Sequence, residues 1–296
     1  ANRVSALLTD LNGAELGYAE DPVSPRPPAA TRVERTHSVI DEALNRAEVD
    51  AQRVSVVSAG LTGPVDLEGN SPFGNTLPGW SSVNIVQDLS ERYGRRVLVE
   101  NDCKLALTAE AWRGQAIGVS NGAFIMAGAR VGAAFMIDGV VCRGGGGAAG
   151  EVGALDILRW AKAPAIFNRH PDLPKGLPLI MAAEWVCSRM RGGDREAARL
   201  LHQFAHDLAV GAAALVLTVD PDVLILGGGI SASADLWKEP FAEALAPLVL
   251  RMPELRVSQL GSRGVVEGAA WRGAQFLEAH SYSDYLLPAQ SLTQYA

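Results

Sequence analysis

Alternation of apolar and polar positions opens the chain. In RVSALLTDLNGAELGYAED, Arg3 to Asp21, two β-type runs flank Asn12-Gly13, a dipeptide suited to a tight turn, and predict a hairpin. The period then lengthens. Val33, Val39, Ile40 and Leu44 share one face of a helix predicted over Thr31 to Ala47. RVSVVSAG, Arg53 to Gly60, reads as a short strand ending in a glycine turn. After a Pro/Gly-rich connector, Leu61 to Trp80, come a helix (Ile85 to Tyr93) and a strand (Arg96 to Glu100). Asn101 stands where it can cap a helix running from Asp102 towards Arg113.

The second part repeats these ingredients in another order. Phe124 to Val141 predicts a hairpin whose turn holds Gly128, Ala129 and Arg130. Four glycines, Gly144 to Gly147, lead to Ala148-Ala149-Gly150-Glu151. Helices are expected over Leu179 to Arg189 and Asp194 to Val219, and a strand over Asp222 to Leu226. Gly227-Gly228-Gly229 turns that strand into a helix from Ser233; Arg256 to Leu260 reads as one more strand. Val265 to Ala279 is a closing helix with small residues on one face, and 280–296 shows little periodicity. The coarse echo predicts two α/β halves with a cleft between them. The expected division is a small domain at 1–103, joined by the closing helix at about 265–279, a larger α/β domain at 104–264, and a tail at 280–296.

Composition narrows the function classes. The 296 residues are 48% hydrophobic and 20% charged, ordinary for a soluble globular protein. With 26 basic against 33 acidic residues the net charge is −7, which argues against wrapping phosphate backbones through bulk charge. Cys103, Cys142 and Cys187 are odd in number and far apart, so neither a disulfide framework nor a structural zinc site is expected; a reducing, cytoplasmic setting fits. No apolar run reaches the ~18 residues of a membrane span, Leu208 to Val219 reads as a buried helix, and no secretion leader is present.

Four stretches carry candidate chemistry. In VENDCKLAL, Glu100, Asn101 and Asp102 lie at the carboxyl end of a strand, the edge where open α/β sheets bind ligands. An Asp there can serve as general base towards a hydroxyl with Asn adding a hydrogen bond; equally, either residue can simply cap the helix. GGGGAAGEVGALDIL places flexible backbone around Glu151, suited to a wall closing on a small polar ligand or to a plain glycine loop. GNTLPGW presents Asn75 beside the indole of Trp80, a mix that carbohydrates use, although tryptophans are more often core. PDVLILGGGIS is a strand ending in glycines before a helix, a nucleotide-type turn that is weak evidence alone.

In this order and spacing, SAGLTGPVD, LPGW, VENDCKLAL, the Gly-Ala-Arg turn before VGAAFMIDG, GAAGEVG and PDVLILGGGIS resemble the ROK family of repressors, open reading frames and sugar kinases, from Arg3 to about Leu277. The resemblance implies the actin-like ATPase (ribonuclease H-like) fold, with two α/β domains and a sugar in the interdomain cleft. Kinase members transfer the γ-phosphoryl of ATP to that sugar; repressor members use it as effector and carry an N-terminal winged helix-turn-helix. Matched by position, Asn101 and Asp102 are the sugar-contacting pair, Asp102 also the kinase general base, and Glu151 the sugar-binding glutamate. Gly227 and Gly228 match the turn near the adenosine, while Asn75 lies near the family's asparagine before Leu-Pro, although Thr76 intervenes here.

Three departures from the family pattern shape the expectation. The second phosphate loop, Gly-Thr-Gly in kinases, is Gly128-Ala129-Arg130, which should weaken phosphoryl transfer, although an arginine can also pair with phosphate. The family's Asp-x-Gly-Gly-Thr strand would precede Arg3, so the natural protein is expected to extend upstream. Ala154 replaces the family histidine and no cysteine-rich loop follows, so zinc is not expected; His170 is expected on a surface loop, and His202 and His206 on a helix face. These features favour a sugar-sensing, dimeric or tetrameric effector domain of a ROK transcriptional regulator with a degenerate ATP site. Its DNA contact would be made by a helix-turn-helix outside this chain, with no cofactor and no membrane partner. The alternative is an ATP- and magnesium-dependent sugar kinase.

Overall fold

The computed structural model describes residues 3–22, 28–71 and 79–280. In chain order the described elements begin with β1 (Arg3–Thr9), β2 (Glu15–Pro22), α1 (Ala29–Arg46), β3 (Val56–Leu61), α2 (Ile85–Tyr93), β4 (Arg96–Asn101) and α3 (Asp102–Arg113). They continue with β5 (Gly122–Ala127), β6 (Val131–Ile137), β7 (Val140–Val141), α4 (Leu179–Arg191), α5 (Arg195–Val219), β8 (Val223–Gly227), α6 (Ala234–Leu245), β9 (Glu254–Val257) and α7 (Gly264–Ala279). The described residues divide into two compact units: those within 3–109, 144–148 and 264–280 form one, and residues 110–143 and 149–263 the other.

In the first unit, β1 and β2 pair antiparallel as the alternation predicts, with a register shift between Leu8 and Thr9. The connection is wider than a two-residue turn. Asp10 organises it by accepting hydrogen bonds from the N–H groups of Asn12 (2.9 Å) and Ala14 (2.8 Å). Val39 and Ala43 of α1 bury against Ala19 of β2. β3 and β4 pair in parallel, Leu61 opposite Asn101. The predicted start of β3 at Arg53 is instead a single turn, Ala51–Arg53, because the Asp50 carboxylate takes the Gln52 N–H. A core of Val65, Trp80, Ile85, Leu89, Val97 and Val99 packs beside this pair. Trp80 is therefore core rather than a ligand platform; Asn75 lies outside the described residues.

Helix α7 packs on β3 in the same unit. Its small face explains how closely it sits: a Cβ on Gly268 would lie 1.8 Å from the Leu105 carbonyl oxygen of α3.

The second unit is built on a five-stranded sheet in the order β7-β6-β5-β8-β9, with β5-β8 and β8-β9 parallel and the other pairs antiparallel. The predicted hairpin over Phe124 to Val141 is a three-strand meander, its second turn made by Asp138 (φ 51°) and Gly139 (φ 77°). β9 ends at Val257, earlier than expected. Buried α5 explains its own apolar length: it is long and apolar enough to cross a membrane by composition, yet Leu200, Leu201, Phe204, Ala205 and Leu208 are fully buried in this unit's core. Phe204 stacks between Phe167 (5.0 Å between centroids) and Trp237 (6.0 Å).

Gly268→Ala tests the close approach. Alanine favours a helix interior over glycine by about 1 kcal/mol, whereas forcing apart well-packed backbone costs roughly 1–3 kcal/mol. The variant is therefore expected to be the less stable in urea unfolding; equal or greater stability would contradict the contact.

Candidate functional site

Every polar residue at the end of β4 is held by its neighbours. Glu100 is buried; one carboxylate oxygen accepts the Asn101 N–H (2.9 Å) and the other accepts from the Arg272 guanidinium of α7 (2.5 Å). Asn101 is 2% exposed. Its Oδ1 accepts the Lys104 N–H (3.1 Å), and its Nδ2 donates to Gly63 O (3.0 Å) and to Asp102 Oδ1 (3.1 Å). Asp102 Oδ1 also accepts the Cys103 N–H (2.9 Å). The two readings left open by the sequence thus coexist. Asn101 caps the helix with its oxygen and aims Asp102 with its amide nitrogen. Of the two, Asp102 is the partly exposed side chain.

Glu151 belongs to the second unit, partly exposed, at the start of a turn over Val152–Ala154. The remaining candidates share that unit. Because β5 and β8 run parallel with Met126 opposite Gly227, their carboxyl ends place two turns side by side. In one, the Gly128 N–H donates to Arg130 O (3.0 Å). Arg130 is exposed and outside the left-handed region, so an L side chain stands there without backbone strain. In the other, Gly228 has φ 88° and a Cβ on it would lie 2.3 Å from Ala127 O, while one on Gly227 would meet the Phe124 ring at 2.4 Å. These glycines are required for β8 to leave the sheet against β5, whatever they bind.

Beyond Gly229 opens a cavity of about 270 Å³, lined by Ala183, Cys187 and Arg191 of α4 and by Gly229, Ile230 and Ser233. Arg191 is tied to Asp235 (2.9 and 3.2 Å). Burial pushes the Cys187 thiol up, which disfavours a nucleophilic role. No cluster of three or more His, Cys, Asp or Glu fit to hold a metal occurs among the described residues.

His170 departs from its expected surface loop: it is 4% exposed, edge-on to Trp185 at 4.8 Å, and its Nδ1 accepts the Asp172 N–H (3.2 Å). Its Nε2 lies 3.3 Å from Asp194, the N-cap of α5. The Ala197 N–H, helped by Arg189, His170 and the Glu196 N–H and opposed by desolvation, lowers the Asp194 carboxyl to about 2. His202 and His206 are exposed on α5. No local pattern marks Lys104 or Arg272, whose partners Gly147 and Glu100 lie far along the chain, or the α4 wall of the cavity.

Two outcomes test this geometry. Arg272→Met strands a buried carboxylate; with Arg272 itself 27% exposed, the loss expected in chemical denaturation is about 2–3 kcal/mol, at or below the usual range for breaking a buried pair. A carboxylate depressed in the folded state contributes stability above its ordinary pKa and loses it as pH falls. Asp194→Asn should therefore flatten the acid side of the stability curve between about pH 4 and 2.

Comparison with known proteins places these features among relatives. The model of the ROK family matches residues 2–164 and 178–280. The chain is 26% identical over 271 residues to N-acetyl-D-glucosamine kinase of Haemophilus influenzae, covering 82% of this chain and 88% of that one. A ROK family glucokinase from Streptomyces griseus, in complex with glucose and AMPPNP, superposes with a TM-score of 0.77 at 22% identity over 93% of this chain and 96% of that one. A ROK family transcriptional regulator, a homolog of the E. coli MLC protein, superposes with a TM-score of 0.71 at 19% identity, covering 93% of this chain and 75% of that one. The fold is the actin-like ATPase fold.

Proposed function

The chain belongs to the ROK family, and from that premise we propose that it binds a sugar through Asp102 and Glu151, with Asn101 aiming Asp102, and phosphorylates it with ATP. The observation that carries this reading is the fixed carboxylate of Asp102, oriented by Asn101 Nδ2 and the Cys103 N–H at the carboxyl end of a parallel strand. Kinases of glucose and of N-acetyl-D-glucosamine among the relatives support it, and so does the pairing of the Gly227-Gly228 turn with a cavity. It reverses the preference drawn from the sequence, where the Gly128-Ala129-Arg130 turn weighed towards a sensor.

ATP, with its magnesium, supplies the transferred γ-phosphoryl group. Asp102 accepts the proton of one sugar hydroxyl as that oxygen bonds to phosphorus and the bond to the β-phosphate oxygen breaks, leaving ADP. Asn101, its amide committed to Lys104, Gly63 and Asp102, acts by orienting the base. The cavity beside Gly229 takes the base, and the turns at Gly128 and Gly228 take the phosphates. Arg130, in the first of these turns, would offer a guanidinium to the transferring end of the donor.

A sugar-sensing role is the second reading, favoured by Ala129 and Arg130 in the phosphate turn and by the likeness to a ROK regulator. Sugar binding would then bias one conformation of a dimeric regulator whose DNA-reading segment lies outside this sequence. A coupled ADP-release assay over glucose, mannose and their N-acetylated amines separates the readings. The kinase reading expects turnover of about 1–100 s⁻¹ on one of them. Asp102→Asn should lower it about 10²–10⁴-fold while calorimetric sugar binding persists. Sugar binding without turnover in the unaltered protein would establish the sensor instead.

A further inference from the structure

Among the largest fully buried side chains is a lysine: Lys104, in the first turn of α3, is 1% exposed. An ammonium taken out of water is tolerated only where hydrogen bonds replace its hydration. Here Nζ donates to the Gly147 carbonyl oxygen at 2.7 Å, 43 residues along the chain. Gly147 is itself built for contact. It is buried, its φ is 74°, and a Cβ there would lie 1.8 Å from the carbonyl oxygen of Val65, a fully buried residue. Gly144, Gly145 and Gly146 before it are exposed, and Cβ atoms on Gly145 and Gly146 would meet nothing within 4 Å. The glycine run is thus free along its length and fastened at its last residue.

The same helix turn fastens a second loop, since Asn101 Nδ2 donates to Gly63 O. Gly63, Val65, Asn101, Lys104 and Gly147 all belong to the first compact unit. One turn of α3 therefore carries the proposed base, Asp102, and holds two loops by side chains on either side of it.

We propose that Lys104 is a positioning residue for sugar recognition: by pinning Gly147 it fixes the glycine-rich loop against the helix turn that carries Asn101 and Asp102. Glycine loses more conformational freedom on ordering than any other residue. A loop of four glycines that ordered only on ligand binding would subtract that loss from the affinity, and an internal anchor removes the subtraction beforehand. The ammonium donates to the Gly147 carbonyl, whereas a neutral apolar side chain of the same length would leave that carbonyl buried without this donor. The proposal rests on the sugar-binding reading above and needs no phosphoryl transfer.

The test compares Lys104→Met, which keeps the stem and removes the charge, with Lys104→Gln, whose amide can still donate to a carbonyl. Sugar affinity is measured by calorimetry with glucose and with N-acetyl-D-glucosamine, and deuterium exchange is followed at the 144–148 amides. Lys104→Met is expected to bind the preferred sugar about 10-fold more weakly and to exchange faster across the loop, and Lys104→Gln to recover part of both. Unchanged affinity in Lys104→Met, or no recovery in Lys104→Gln, would overturn the assignment. Should neither variant fold, the unaltered protein decides: before any sugar is added the 147–148 amides must already exchange more slowly than an unstructured chain, and exchange at the unstructured rate would overturn it equally. Absence of any sugar binding by the unaltered protein would remove the sugar reading and this inference with it, a result distinct from normal binding by Lys104→Met.

Discussion

A carboxylate with almost no access to water sits immediately before the proposed catalytic pair, and its partner comes from the last helix of the fold. Glu100, its side chain 3% exposed, is held by Arg272 and by the N–H of Asn101. Burying such a group without partners costs several kcal/mol, so β4 can end where it does only with α7 in place. α7 in turn seats closely only because Gly268 lets its backbone meet that of α3. The direction of Asn101, and through it that of Asp102, is therefore set by contacts spanning most of the sequence. A substitution in α7, far from the site along the chain, acts on the carboxylate at the strand end.

The second unit uses a different device. Its paired turns follow from strand register: β5 and β8 are parallel neighbours, so whatever follows Ala127 and Gly227 must lie together at one edge. Gly227 and Gly228 are demanded by packing against Phe124 and Ala127. Arg130 has ordinary backbone, so nothing in the fold demands glycine there. The consequence is an asymmetry. The sheet would resist change at Gly228 even in a protein with no nucleotide to bind, whereas the backbone at position 130 accepts any L residue. An intact glycine turn is for that reason weaker testimony to phosphoryl transfer than it looks in sequence.

What could be read in advance follows the range of the interaction. Period and turn chemistry are local, and they located the opening hairpin, α1, α2, β4, α5 and β8 to within a few residues. Small residues along Val265 to Ala279 signalled a close-packed helix, as Gly264, Gly268, Ala269 and Gly273 show. The start of β3 was misplaced because one aspartate, Asp50, competes for backbone N–H groups. Burial of charge was hidden altogether. Glu100 and Arg272 are 172 positions apart, Lys104 finds its acceptor at Gly147, and His170 is enclosed by Trp185 and the cap of a helix that begins 25 residues later. No local pattern marks such partners, because the fold and not the neighbouring sequence supplies them.

The first turn of α3 bears on why one fold serves both transfer and sensing. Both uses need a sugar hydroxyl fixed against Asp102, and the hydrogen bonds that aim this carboxylate are spent on Asn101 and Cys103 before any ligand arrives. That preorganisation favours binding in either role, since it lowers the cost of ordering the receptor. Catalysis asks for one thing more, stabilisation of charge on the transferring phosphoryl group. The proposed acceptor residues are thus supported by buried, mutually dependent contacts, while the proposed phosphate turn carries an exposed side chain on ordinary backbone at Arg130. On the proposed reading, retuning of transfer asks for less backbone change than loss of the sugar, and a guanidinium at position 130, on ordinary backbone, is a change of that kind.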